Sequence, residues 1–287
     1  MRKRIFAKVS VIVCVLAILG MLMFNNSRPD TNRLPAESGV ALSPLTVTVP
    51  SLGRADALLL QEDDHAMLID TGLESDAAQV LAMLEEQGVE KLELLILSHY
   101  DKDHVGGADR ILESIPVERV IGPAYPKDSA EYTQFIQAVT SAGLTVETPE
   151  QVLTLTFGGS TVTVCPPLRE SYAEENDHSI AVVVQHGVNS FLFAGDAEKV
   201  RMDELMTQDS INCNWVKMPH HGLAEDNTQV FVHAVAPQYA LITCDASGPD
   251  EAVLDALEKV DAQVWLTSDG PVRFTSDGSN PITADRD

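Results

Sequence analysis

Short apolar runs recur along the chain, and four of them are followed within two residues by aspartate or histidine. These four runs cover residues 66–69, 92–97, 191–194 and 215–218. Runs of this length bounded by polar residues are typical of buried strands. Segments with helical periodicity lie between the apolar runs, as in residues 75–87 and 130–142. The alternation predicts an α/β domain whose reactive side chains collect at one edge of a central pair of sheets.

The densest polar cluster follows the run at residues 92–97. Four side chains that can bind metal fall within six residues there: His99, Asp101, Asp103 and His104. Imidazole and carboxylate groups at this spacing can face one point only where the backbone turns sharply, so we expect His104 to open the next helix. Four ligands this close predict two divalent ions side by side, an arrangement used in hydrolysis.

The order of these motifs resembles that of the metallo-β-lactamase superfamily over residues 45–274. Asp101 stands where the usual first motif has its second histidine. That change, together with Gly53, Asp56-Ala57 and residues 216–222, is most similar to the extracytoplasmic hydrolase domain of ComEC-type competence proteins. The resemblance implies a four-layer αββα sandwich with a dinuclear metal site at one edge.

The resemblance also implies which side chains hold the two ions. His99 and Asp101 would hold the first ion together with His178, and Asp103 and His104 would hold the second. Imidazole ligands suit zinc, whereas the unusual number of carboxylates also makes manganese acceptable.

Further roles fall on the polar ends of the other apolar runs. Asp196 would bridge both ions, and Asp70 would orient ligands from behind the site. Asp103 would also hold the attacking hydroxide. One of His220 and His221 would bind metal while the other protonates the leaving oxygen. We assign the metal to His221 and the proton donor to His220, and the reverse stays open at this stage.

The first residues differ in composition from the rest of the chain. Basic residues at positions 2–4 and 8 precede an apolar run over residues 9–24, which predicts a signal peptide or membrane anchor in residues 1–24. No small-residue cleavage motif follows, so we prefer an uncleaved anchor to a cleaved signal. The basic start predicts that the remainder lies on the extracytoplasmic face of the cell membrane. Residues 25–44 have the composition of a linker, and residues 45–287 are long enough for one hydrolase domain.

The chain beyond the anchor is strongly acidic. The full chain has 19 Lys and Arg and 43 Asp and Glu, of which residues 1–33 hold 6 and 1, so residues 34–287 carry 13 minus 42, or −29. So few basic side chains disfavour, without excluding, nucleic acid as a partner. Cys165, Cys213 and Cys244 are expected to be buried thiols rather than metal ligands.

The favoured function is therefore an extracytoplasmic metal-dependent hydrolase of phosphodiesters, with nuclease-like chemistry. Hydrolysis of a lactone, thioester or β-lactam by the same fold is an alternative, which a histidine in place of Asp101 would have favoured. A non-catalytic binding protein is a third possibility, and loss of ligands would indicate it. His65 and His186 lie in predicted turns, where we expect exposed side chains outside the site. The oligomeric state is left open.

Overall fold

The structure is a computed structural model, and it describes residues 42–208 and 211–286. The predicted membrane segment, residues 1–24, and nearly all of the predicted linker lie outside this range. Within the range, no helix has the length and apolar character needed to cross a membrane.

Fifteen strands alternate with short helices along the described part of the chain. The strands are β1 (Leu45–Val49), β2 (Leu58–Glu62), β3 (His65–Ile69), β4 (Leu92–Ile96), β5 (Val117–Ile121), β6 (Val146–Glu147), β7 (Leu153–Phe157), β8 (Ser160–Cys165), β9 (Ala181–His186), β10 (Asn189–Phe193), β11 (Trp215–Lys217), β12 (Tyr239–Ile242), β13 (Gln263–Leu266), β14 (Val272–Ser276) and β15 (Thr283–Asp285). The α-helices are α1 (Ala77–Glu86), α2 (Lys102–Val105), α3 (Ala108–Ser114), α4 (Ala130–Ser141), α5 (Lys199–Leu205), α6 (Thr228–Val235) and α7 (Glu251–Glu258). Short 3₁₀ turns cover Glu74–Asp76, Glu175–His178, Pro219–Gly222 and Thr267–Asp269.

The strands form two mixed sheets. The first has the order β15-β14-β1-β2-β3-β4-β5-β6, and the second has the order β13-β12-β11-β10-β9-β8-β7. In each sheet a set of antiparallel strands leads into a parallel set, β3 to β6 in the first and β10 to β13 in the second. The parallel strands of one sheet end at the same edge, so the polar residues that follow them are brought together.

Three apolar clusters hold this arrangement together. One combines side chains of both sheets, among them Leu60, Phe193 and Trp215. A second joins the second sheet to α5, α6 and α7, and a third joins the first sheet to α1, α3 and α4. Each fully buried large apolar side chain contributes about 1.5–3 kcal/mol relative to an exposed one. The predicted α/β class, with two mixed sheets and flanking helices, is confirmed.

The loop after β4 differs in detail from its prediction. The helix expected to open at His104 begins at Lys102, and a break after Val105 divides it into α2 and α3. A Cβ on Gly106 would come within 2.6 Å of the Glu74 backbone nitrogen, and one on Gly107 within 2.5 Å of the Thr71 carbonyl oxygen. The two glycines therefore let this helical segment pack closely against the loop that follows β3.

The prediction of an exposed His186 is wrong, because the end of the chain returns to cover its turn. His186 is fully buried, with Nδ1 2.7 Å from Ser276 Oγ and Nε2 3.0 Å from the Ser43 carbonyl oxygen. Ser276 ends β14, which pairs with β1 along its whole length. Since a carbonyl can only accept, Nε2 donates to Ser43 and Nδ1 accepts from the Ser276 hydroxyl.

Candidate metal centre

The polar residues that follow four of the strands lie close together. β3 and β4 are parallel partners in the first sheet, and β10 and β11 are parallel partners in the second. Asp70 directly follows β3, and the loop with His99 to His104 follows β4. Asp196 and His221 follow β10 and β11 in the same way. The centre therefore draws side chains from both sheets, as the four apolar runs predicted.

A group of four side chains lies at the middle of this edge. Each of Asp103, His104, Asp196 and His221 offers a ligand atom, and these atoms all lie within 4.8 Å of one another. Asp196 Oδ2 is 3.2 Å from His104 Nε2 and 3.1 Å from His221 Nε2. Asp103 Oδ2 is 3.4 Å from His221 Nε2. One carboxylate oxygen of Asp196 thus faces two imidazoles that come from different sheets.

The donor set fits a divalent metal ion. The Nε2 atoms of His99, His104 and His221 are buried and make no hydrogen bond of good geometry. Burying polar atoms without partners costs free energy, so three such nitrogens beside carboxylates call for a ligand. Imidazole nitrogens together with carboxylate oxygens suit zinc or manganese.

Asp70 fixes the orientation of His104. Its backbone has a left-handed φ of 59°. Its Oδ1 accepts a hydrogen bond from the Ser98 backbone nitrogen at 2.7 Å, and its Oδ2 lies 2.9 Å from His104 Nδ1. Nδ1 therefore carries a proton and Nε2 is directed toward Asp196. Burial opposes charging of His104, but the carboxylates of Asp196 and Asp70 raise its pKa well above the usual value.

His99 lies in a different electrostatic environment from His104. Its side chain is fully buried, and its ring lies 4.1 Å from that of His104. Burial, reinforced by the charge of His104, lowers the pKa of His99 to about 3. His99 is therefore neutral near neutral pH, with a nitrogen lone pair ready for a metal ion.

The adjacent histidines after β11 face different partners. Both have left-handed backbones, with φ of 46° at His220 and 53° at His221. His221 Nδ1 lies 3.1 Å from Thr243 Oγ1, which leaves Nε2 pointing into the central group. His220 Nε2 is 3.3 Å from Asn176 Nδ2, and its Nδ1 is 3.6 Å from Glu198 Oε1. The structure thus brings His221, and not His220, into the central group.

Two consecutive non-glycine residues in this conformation are strained, and such strain persists where surrounding contacts enforce it. Gly222 completes the turn with φ of 78°, and a Cβ there would come within 2.5 Å of Pro249 Cβ. Burial lowers the pKa of His220, so its imidazole is neutral near neutral pH. For His221 burial acts in the same direction, but Asp196 and Asp103 raise its pKa to about 9.

The sequence profile described as "Metallo-beta-lactamase superfamily" matches residues 51–246, well over half of the chain. The chain belongs to this superfamily. A search of solved structures agrees on the fold. The metallo-β-lactamase fold protein YhfI from Bacillus subtilis superposes with a TM-score of 0.56 at 17% identity, covering 82% of this chain and 99% of that one.

The similar sequences include competence and recombination proteins, as expected from the resemblance. ComE operon protein 3 of Bacillus subtilis is 26% identical over 205 residues, which are 68% of this chain and 26% of that protein. Recombination protein 2 of Haemophilus influenzae is 27% identical over 203 residues, or 69% of this chain and 24% of that protein. Competence protein ComA of Neisseria gonorrhoeae is 25% identical over 244 residues, or 83% and 32%. This superfamily member therefore spans about a quarter to a third of the length of these relatives.

Two further charged residues belong to the centre, and sequence reasoning did not assign them to it. Lys217 is fully buried, and its ammonium contacts Asp56 Oδ2, Asp196 Oδ1 at 3.3 Å and the Gly195 carbonyl oxygen at 3.1 Å. Burial would lower the pKa of Lys217, but Asp56 and Asp196 raise it to about 12. A signal was available for Lys217, which is a single charge inside an apolar stretch. Charged residues are almost never fully buried unless paired.

Asp101 and His178 lie outside the central group. Asp101 pairs with Lys127, which also contacts Glu175. His178 stacks on Tyr125 with ring centroids 4.2 Å apart and meets Tyr172 edge-on at 4.9 Å. Their roles as ligands stay predictions.

A second group of possible ligands surrounds His220. Glu198, His220 and Glu225 bring their ligand atoms within 4.8 Å of one another. Burial and nearby carboxylates raise the pKa of Glu198. His220 therefore has an acidic partner beside the central group, where a proton donor to a leaving group would need one.

Proposed function

We propose that this chain is a metal-dependent phosphodiesterase with nuclease-like activity, related to the hydrolase domain of ComEC-type proteins. The observation that carries the proposal is the central group, in which the Nε2 atoms of His104 and His221 are buried without hydrogen-bond partners and lie near the carboxylates of Asp103 and Asp196. Relatives named as competence and recombination proteins support the phosphodiester class. Two divalent ions, zinc or manganese, complete the proposal.

The chain's own residues then have separate tasks. Bound divalent ions would activate water and stabilise negative charge on substrate oxygens. Asp103 is about three-quarters buried and contacts His221 through Oδ2, so its other oxygen can orient the attacking water. Burial opposes its ionisation, but His221 and His104 lower the pKa of Asp103 to about 2, so it stays a carboxylate. His220 is the proposed proton donor to the leaving oxygen. Because its imidazole is neutral near neutral pH, it must first take up a proton, and Glu198, whose pKa is raised and whose Oε1 lies 3.6 Å from His220 Nδ1, is the neighbouring acid that can supply it.

Carbonyl hydrolysis is the second candidate, and one observation favours it. Hydroxyacylglutathione hydrolase of Aliivibrio salmonicida is 35% identical over 66 residues, although these are only 23% of this chain. A non-catalytic binding role is less well supported, because the central group retains four ligand side chains.

A substrate panel separates these candidates. Metal-loaded protein would be assayed on bis(para-nitrophenyl) phosphate, short oligonucleotides, a lactone and a thioester. We expect turnover of the phosphodiesters, and loss of that turnover after chelation or in Asp196→Ala. Turnover of the lactone or thioester with intact phosphodiesters would replace the proposal with the carbonyl alternative. No turnover of any substrate by protein with bound metal would favour the binding role.

We also propose that the domain is tethered on the extracytoplasmic face of the cell membrane. The support is the basic start and the apolar run over residues 9–24. Protease added to intact protoplasts should remove the domain, and protection until the membrane is opened would contradict this location. The four-layer αββα order implied by the family is likewise proposed, supported by the three apolar clusters.

A further inference from the structure

One lysine reaches the candidate centre from its rim. Lys127 lies in the loop between β5 and α4, and its ammonium contacts both Asp101 Oδ1 and Glu175 Oε2. The Lys127 side chain is only 17% exposed, whereas that of Asp101 is 34% exposed. A carboxylate predicted to bind a metal ion is therefore already paired with a cation of the protein itself.

The half of the centre around Asp101 has few other metal ligands. His99 Nε2 approaches Asp101 Oδ1 at 3.9 Å and has no hydrogen-bond partner. His178, predicted to bind the same ion as His99 and Asp101, packs between Tyr125 and Tyr172. This half thus offers one imidazole and one carboxylate, and Lys127 is already paired with that carboxylate.

The two carboxylate oxygens of Asp196, the predicted bridging ligand, face different partners. Asp196 Oδ2 faces His104 and His221, whereas its Oδ1 lies 3.3 Å from the buried ammonium of Lys217. Lys217 is held in place by Asp56. The central group keeps four donors, while a lysine lies against each carboxylate that the other half would need.

We propose that Lys127 competes with a metal cation for Asp101, so that the two ions bind unequally. The tighter ion, which binds first, lies at Asp103, His104, Asp196 and His221, and the weaker ion, which binds second, lies at His99 and Asp101. A second divalent ion must either displace the Lys127 ammonium or remain close to it, and like charges at short range repel. The inference rests on the proposed two-ion centre and names the residue that sets the occupancy of its weaker half.

Metal titration of the full chain tests this directly. Metal-free protein would be titrated with zinc chloride, and separately with manganese chloride, by calorimetry and by equilibrium dialysis. We expect one tight and one weaker ion in the unmodified chain. Lys127→Met should tighten only the weaker ion, by about fivefold, the value of a partly exposed ion pair. Lys127→Arg keeps the charge and should retain the weak second ion.

Two variants act as controls. Lys91 pairs with Glu118 on an exposed surface, so Lys91→Met removes a comparable ion pair elsewhere and should change neither affinity. Asp101→Asn should abolish the second ion and leave the first unchanged. Circular dichroism of each metal-free variant verifies that it is folded.

The outcomes distinguish this inference from the proposed activity. Two ions of equal affinity in the unmodified chain, or an unchanged second affinity in folded Lys127→Met, would overturn the role of Lys127. Unequal ions that respond to Lys127 as expected, in a protein that leaves phosphodiesters intact, would remove the proposed substrate and keep the role of Lys127.

Discussion

Two adjacent histidines after β11 differ in what surrounds them, and this difference predicts different effects of their removal. His221→Ala removes one of four central ligands, so we expect metal occupancy and turnover to fall together. His220→Ala leaves the central group intact and removes the imidazole beside Glu198. It should retain metal and lose turnover by about 10²- to 10⁴-fold, the usual contribution of a general acid.

Elemental analysis and steady-state kinetics on the two purified variants measure this separation. His233 is an exposed histidine on α6 and serves as the control. His233→Ala should change neither quantity. Equal loss of metal in His220→Ala and His221→Ala would contradict the assignment.

Protons and metal compete at the same imidazoles, which predicts a pH dependence. Burial would lower the pKa of His221, but Asp196 and Asp103 raise it to about 9 in the metal-free protein. A ligand nitrogen cannot keep its proton, so metal binding near neutral pH must release about one or two protons, from His221 and the similarly shifted His104. His99, with its pKa of about 3, has none to release there.

The affinity for metal should therefore rise with pH until the pH approaches the pKa of His221. It should fall at lower pH, where these imidazoles are protonated. Calorimetry in buffers of different ionisation enthalpy counts the released protons. A pH-independent metal affinity between neutral pH and the His221 pKa would show that metal displaces no proton from His221 there, and would contradict this prediction. His221→Ala should lower the proton count by about one.

The place of a polar side chain could be predicted from the sequence where it follows an apolar strand, because the strand fixes where that side chain lies; the ligand roles stay predictions. Asp103, His104 and Asp196 come together for this reason. Lys217 and Asp56 were not assigned to the centre, because each reads as an isolated charge until the other is placed beside it. Their pairing joins the loop before β2 in the first sheet to β11 in the second sheet, so it depends on how both sheets are placed.

At the level of elements, the turn between β9 and β10 depends on the end of the chain. Ser276 Oγ accepts hydrogen bonds from Asn189 Nδ2 and the Gly278 backbone nitrogen, and it donates to His186. His186→Ala would leave buried polar partners unsatisfied, so we expect a loss of about 1–3 kcal/mol in the free energy of unfolding. Metal binding should be unchanged because His186 lies outside the centre.

Urea denaturation measures this loss, and His233→Ala is the matched control. An exposed substitution of this kind usually stays within about 0.5 kcal/mol. If the two variants have equal stability, the buried network contributes nothing and the turn is held by the backbone alone.

Strands differ in how much of their signal is local in the sequence. Strands β3, β4, β10 and β11 are local apolar runs, so their bounds lie within two residues of the predicted ones. β14 and β15 are short and mixed in polarity, and β14 is completed by pairing with β1, more than two hundred residues away along the chain. Long-range pairing of this kind leaves little local signal. The exposure of His186 was misjudged for the same reason.

At the scale of the whole molecule, charge limits the substrates that can bind tightly. Residues 34–287 carry 13 minus 42, or −29. Lys217 is buried and paired, and Lys127 is shared between Asp101 and Glu175. Few phosphates of a long polyanion can therefore be neutralised near the centre. We expect bis(para-nitrophenyl) phosphate and short single strands to be hydrolysed more readily than duplex DNA.

The salt dependence of KM makes this expectation quantitative. For a single strand, binding that neutralises about one or two phosphates weakens only about three- to sevenfold between about 50 and 200 mM salt, whereas six or more contacts would weaken it about three hundredfold or more. KM for a short oligonucleotide would be measured across this range at saturating metal, with the uncharged-backbone methylphosphonate oligomer as a binding control. A shallow salt dependence of KM with poor cleavage of duplex DNA fits an acidic enzyme that binds a single phosphodiester. A steep slope with efficient duplex cleavage would require a basic surface that the net charge disfavours, and would mean that residues outside the described domain, or a partner, supply the contacts with nucleic acid.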